Sequence, residues 1–198
     1  MFLFILLFAG HAPAREADPW WAKERGITQG VLVAGSKSPD GKHALFEYFR
    51  WDGETADSAT TYNGIGLAPV DRSKLLFRIK SRTKWETDKE VTSFLNVRWS
   101  PDSSLLATHD SLDKHSKLSI YRISDGRATE FELPDLLALA AKKLGIDPAK
   151  ATASGQVPQR WREAGVLEVA VRITTAAKGK LTTPLQVHVD PQGKVSVQ

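Results

Sequence analysis

Between Thr108 and Ser116 the chain reads THDSLDKHS, which crowds His109, Asp110, Asp113 and His115 into one short polar stretch. Imidazole and carboxylate are ligands for a divalent cation, and a His-Asp pair can act as a general base. A metal-dependent hydrolase is the chemistry such a set would serve. The spacing fits no zinc motif with a mechanical rationale, and no adjacent glycine or helix would fix the ligands, so a solvated turn is the plainer reading. A second cluster is cationic: in KLLFRIKSRTKWETDKE, Arg78, Lys80 and Arg82 alternate along an extended stretch that ends near Trp85. Alternate residues of a strand share a face, so these would form a basic stripe, either a charge-protected edge strand or an anion site. Aromatics form a third group. Trp51 lies in a polar setting between Arg50 and Asp52, close to Tyr48 and Phe49, and sugar rings stack on exposed indoles. There is no Gly-x-Ser-x-Gly elbow, phosphate loop or dinucleotide fingerprint. With no cysteine, thiolate metal sites and cysteine nucleophiles are excluded, and neither a cofactor nor a catalytic residue is assigned.

The elements that would position these groups come in near-duplicate. SPDGKHALFEYF begins at Ser38 and SPDSSLLATHD at Ser100, 62 residues later. In each, proline presets the turn and the aspartate side chain can bond backbone two residues on. Around the second copy, four short strands are expected at 95–99, 105–108, 117–123 and 128–133, the last two joined by an Asp125-Gly126 turn. The first copy follows the same plan at 30–34, 43–49, 64–70 and 74–80. Setting Asp71 on Asp125 puts Phe77 on Phe131, which predicts equivalent buried positions for the two rings, with Trp99 buried where the second unit begins. Aspartates 54 apart and Ser-Pro-Asp turns 62 apart leave eight extra residues in the first copy, within a polar loop spanning 50–63.

The WSPDSSLLA and KSPDGKHAL stretches resemble the blade motif of TolB-type and related WD-repeat-like bacterial β-propellers, where the turn between the first two strands of a blade reads Ser-Pro-Asp-Gly. The resemblance implies four-stranded antiparallel meanders and transfers no catalytic residue. Lys37 stands where the second copy has Trp99, and two copies are fewer than the four to eight blades of a closed propeller.

After the second copy, LPDLLALAAKKLG reads as a helix with Pro134 in its first turn and Gly145 as its stop, and Asp147-Pro148 as the start of a second short one. From Trp161 the pattern returns to β, and a closing three-stranded meander is expected. The fold class is therefore mainly β: consecutive antiparallel four-stranded meanders, blade-like and open, with one short helical insertion. Residues 15–133 would hold two meanders, 134–151 the helical connection, and 152–198 a C-terminal meander packed on the same domain. Trp99 and Trp161 are assigned to the core.

The composition, 41% hydrophobic and 25% charged, is that of an ordinary globular chain. The start, MFLFILLFAGHAPA, reads as a signal peptide over residues 1–14, although no basic residue precedes its apolar run. This implies export to the periplasm or outside the cell, which disfavours nucleic acid as a partner. The run is too short to cross a bilayer, so no transmembrane segment is expected. A net charge of +4 suits an acidic protein, an anionic saccharide or a cell-envelope surface, and self-association is another way to cover open sheet edges. The reading is an exported, non-enzymatic binding or assembly module with Trp51, Arg78, Lys80 and Trp85 as its ligand or partner surface. A glycan-binding domain and the His109-centred hydrolase are the alternatives.

Overall fold

A computed structural model of the chain describes residues 27–51, 61–82, 95–110 and 115–198; the expected signal peptide at 1–14 lies outside them. Three sheets succeed one another along the chain. The first is a meander of β1 (Ile27–Leu32), β2 (His43–Trp51), β3 (Thr61–Pro69) and β4 (Phe77–Arg82). The second runs through β5 (Leu95–Trp99), β6 (Leu105–Asp110), β8 (Leu118–Ser124) and β9 (Arg127–Glu130), with the two-residue β7 (His115–Ser116) leaving it between β6 and β8. The third is β10 (Ala151–Glu163), β11 (Val166–Thr175), β12 (Gly179–Val189) and β13 (Val195–Val197), with β7 added in parallel beside β10. Helix α1 (Leu136–Leu144) and a 3-10 turn at Pro148–Lys150 connect the second sheet to the third. The expected class is observed: mainly β, blade-like meanders, an open array and one short helical insertion. No helix among the described residues is long and apolar enough to cross a membrane.

The closing unit differs from expectation. Its first strand is β10, thirteen residues long, so the meander has four strands before β7 joins it. Gly155 and the buried Pro158 interrupt the period-two pattern there, and the register shifts after Pro158. The loop expected at 50–63 is shorter as well. β2 continues to Trp51 and β3 begins at Thr61, so part of the eight-residue excess lengthens a hairpin.

Strand alternation explains the stacking. In β6, Leu106 faces the first sheet while Leu105 and Ala107 face the third; the middle sheet is buried on both sides and reads as an unbroken apolar run there. The first seam holds Leu45, Ile65, Leu67 and Ile79 against Val97, Leu106, Tyr121 and Ile123. The second holds Leu105, Ala107, Leu118 and Ile120 against the odd-numbered residues of β11 and β12, with Leu136, Ala140 and Ala141 of α1 closing it. Asp135 caps α1 by accepting from Ala138 N at 3.0 Å, and Gly145 ends it in the left-handed region at φ 62°.

The Ser-Pro-Asp turns are the same device built twice. Ser38 Oγ donates to Asp40 Oδ1 at 2.6 Å and accepts from His43 N at 3.0 Å; Ser100 Oγ donates to Asp102 Oδ1 at 2.5 Å and accepts from Leu105 N at 2.9 Å. The turns touch, since Asp40 N donates to Ser103 Oγ at 3.0 Å. A further bond ties neighbouring sheets. Trp99 Nε1 donates to Ser36 O at 2.8 Å, and Trp161 Nε1 donates to Arg98 O at 3.0 Å, each indole reaching a carbonyl 63 residues earlier. In the second seam Arg98 answers, with Nε donating to Gln159 O at 2.8 Å. Trp161 stands 62 residues after Trp99, so the step between the Ser-Pro-Asp turns continues into a unit that lacks that turn.

Phe77 and Phe131 do hold corresponding places, one in each seam, but both are half-buried, as is Trp99. Phe77 packs at 4.9 Å on the Tyr121 ring, and the Arg122 guanidinium lies 5.2 Å from the Phe131 ring. Their truncation to alanine should therefore cost less than the ~3–5 kcal/mol of a fully buried ring. The indole bond is the more diagnostic target. Trp161→Phe removes the donor to Arg98 O and shrinks the buried indole to a single ring, and in urea titrations should lower unfolding free energy by more than the about 1–2 kcal/mol of a lost hydrogen bond and less than the ~3–5 kcal/mol expected for Trp161→Ala. Equal stability of Trp161→Phe and the parent would mean the bond holds nothing together.

Candidate functional site

His109 does not lie in a solvated loop. It is the fifth residue of β6, 3% exposed, and it faces the third sheet. Asn96 pairs with it across β5 and β6, and Asn96 Nδ2 lies 3.4 Å from His109 Nδ1. On the other side, His109 Nε2 is 2.8 Å from Ser116 Oγ, and Ser116 Oγ lies 3.5 Å from Ser154 O. Gly155 makes room for this approach: a Cβ there would stand 3.3 Å from Ser116 Oγ. Asp110 ends β6 and His115 begins β7, whereas Asp113 is outside the described residues. Among the described residues no group of three or more His, Asp or Glu could hold a metal ion.

A serine, a histidine and an amide in sequence resemble a nucleophile, its base and an orienting group, so the direction of the protons matters. Asn96 offers its N–H to Nδ1, which places the ring proton on Nε2. Nε2–H then donates to Ser116 Oγ, and the serine hydroxyl donates on to Ser154 O. With its proton on Nε2 the ring cannot take one from Ser116, and the neutral amide of Asn96 lacks the charge that stabilises an imidazolium. Ser116 is itself only 8% exposed. The chain of bonds satisfies the buried side chains of His109 and Ser116 and ties β5, β6, β7 and β10 together. Gln156 contributes beside it, its Oε1 accepting from Leu118 N at 3.1 Å.

The first seam has its own histidine. His43 stacks on Trp99 with centroids 6.3 Å apart, and its Nδ1 is buried without a hydrogen-bond partner. Burial, then the Arg172 charge, push the His109 imidazole below its ordinary value. Burial lowers His43 too; Asp40 pulls the other way, while Lys42 and Lys74 add to the decrease.

The surface expected around Trp51 is spread out. Trp51 ends β2 opposite Thr61, five residues along the strand from Phe46, while Arg78 lies exposed in the row of Phe46 and Gly66. Trp51 and Arg78 therefore stand in rows of the sheet five residues apart along β2. Gly64 pairs with Ser81 and Ile65 with Ile79, leaving Lys80 as the extra residue of a bulge that breaks the expected basic alternation. Trp85 is outside the described residues.

A different basic surface is present on the third sheet. Leu167, Val169, Val171 and Ile173 of β11 face the core, which turns Glu168 and Arg172 to the far side. There Arg160 Nε donates to Glu168 Oε2 at 2.6 Å and Arg162 Nε donates to Glu168 Oε1. The two guanidiniums, Arg160 first, hold the Glu168 carboxyl below its usual range. Arg160, Trp161 and Arg162 line an open depression of about 370 Å³. The signal available in the sequence was the 62-residue step from Trp99 to Trp161; nothing local marked the arginines, Ser116 or Asn96.

Fold and site together define a class: an open stack of three blade-like meanders, with a buried polar chain in one seam and a cationic end face. Compared with protein-family models, curated proteins and solved structures, the chain matches none.

For both histidines a lowered folded value means that the unfolded chain binds more protons as pH falls below about 6.5. Stability is thus fully present above that pH and is lost as pH falls toward the folded values, by at most about 1.4 kcal/mol per histidine per pH unit. Urea unfolding at pH 7.5 and 5.5 should show the loss, and it should shrink in His109→Gln. A pH response unchanged in that variant would assign the effect elsewhere. The proton direction carries a second expectation: a fluorophosphonate probe should leave Ser116 unlabelled, and covalent labelling there would reverse the assignment of donor and acceptor.

Proposed function

We propose that this chain is a non-enzymatic binding or assembly module, acting outside the cytoplasm, whose contact surface is the far side of the third sheet. One observation carries the reading: Arg160, Arg162, Arg172 and Lys180 occupy that side against the carboxylates of Glu168 and Glu163, while the other side of the same sheet is packed into the core. A sheet face whose strands are fixed by a core behind it holds its charges in place, so little is lost in ordering them when a partner binds. Cations in excess suit an acidic protein surface, and they speed encounter with it. The His109 chain supports the non-enzymatic part, because its donors and acceptors are used in joining sheets. Blade-like sheets host unrelated functions, so the reading rests on the surface and not on the architecture.

A photo-reactive amino acid placed at Arg172, with Lys142 on the exposed side of α1 as the control position, tests this in the host cell. A discrete cross-linked protein from position 172 and none from position 142 is expected. No product at 172, or the same products at both positions, would remove the far side of the third sheet as a contact surface.

A further inference from the structure

The two inter-sheet clasps form a series with a constant step. Trp99 of the second sheet bonds Ser36 O of the first, and Trp161 of the third bonds Arg98 O of the second. Moving 62 residues on from Arg98 reaches Arg160. The three residues around Arg160 line the open depression on the third sheet. Arg160 also corresponds to Arg98, the residue that returns a bond to the following sheet through Gln159 O. On the third sheet that role is taken up internally, since Glu168 holds Arg160 and Arg162.

We infer that the Arg160–Trp161–Arg162 edge of the third sheet is a seat for the tryptophan of an acidic β-strand from another polypeptide, an intermolecular version of the clasp made twice within the chain. This deepens the binding-module reading and rests on it. Continuity with the two seams supplies the position, and charge supplies the partner's chemistry. An indole N–H reaches toward the backbone at Arg160, its ring face lies against a guanidinium, and acidic neighbours pair with Arg160, Arg162 and Arg172. A second copy of this chain fits poorly, because its first sheet carries the exposed Lys37 where a tryptophan would have to be and would bring a cation against two arginines.

The probe is a fluorescent peptide LEVEWSPD, which keeps the strand and turn around Trp99 and places acidic residues at alternate positions. Anisotropy titration with the full chain should give saturable binding, weakened at least tenfold by replacing the peptide's tryptophan with leucine. It should be weakened equally by Arg160→Ala/Arg162→Ala in the protein, whose fold is checked by circular dichroism. The leucine peptide tests the seat without altering the protein. Affinity within twofold after the leucine change, or no saturable binding, would overturn the proposal. So would a concentration-dependent dimer in sedimentation that Arg160→Ala dissolves, which would make the occupant a second copy. A cross-linked product at position 172 that survives Arg160→Ala/Arg162→Ala would keep the binding module and remove the tryptophan seat.

Discussion

A hydrogen bond from an indole to a backbone carbonyl on the neighbouring sheet is the constraint around which this molecule is arranged. Apolar seams are non-directional: Leu45 and Ile65 would pack on Val97 and Leu106 about as well after a small slide of one sheet over the other. A bond from Trp99 to Ser36 O, or from Trp161 to Arg98 O, admits only one offset. The indole supplies a large buried ring and a polar tip in one side chain, so area and register come from the same residue. The second seam is further fixed by the return bond from Arg98 to Gln159 O.

The middle sheet is covered on both faces, by the first sheet on one side and the third on the other. Its strands have no solvated side on which to place polar groups, so each buried polar atom needs an internal partner. Thr108 and His109 stand together on β6 and are both buried. His109 is served by Asn96 and Ser116, and β7 leaves its own sheet to bring Ser116 there, pairing with β10 at Ser154 and Gly155. A glycine at 155 is what lets the two backbones and the serine hydroxyl come so close. The strand swap is thus coupled to the burial of an imidazole.

Most of the fold was legible because its signals are local. Ser-Pro-Asp announces a turn through bonds spanning two to five residues, and Asp125-Gly126 announces a hairpin because both residues take positive φ, 49° and 70°. β10 was hidden because Gly155 and Pro158 are poor strand residues that this site requires for close approach and for a register shift. The bulge at Lys80 was invisible for a related reason: alternation in sequence says nothing about an extra residue on one strand. His109 was readable as chemistry from its neighbours along the chain, yet its real partners lie 13 residues back and 7 ahead across strands. The basic end face could have been found only by carrying the repeat step past the loss of its turn motif.

The clasp also has polarity. Each sheet offers an indole to the one before it and a carbonyl to the one after it, so no seam of this kind maps onto itself under a two-fold axis. Two identical chains cannot meet through it symmetrically, and chains that met head to tail would go on adding until a ring closed or a fibre formed. The third sheet has Arg160 in the place of Arg98, and the first sheet has Lys37 in the place of Trp99. Lys37 in place of an indole leaves the first sheet of one copy without the donor that would clasp the third sheet of another, so this contact does not propagate from copy to copy.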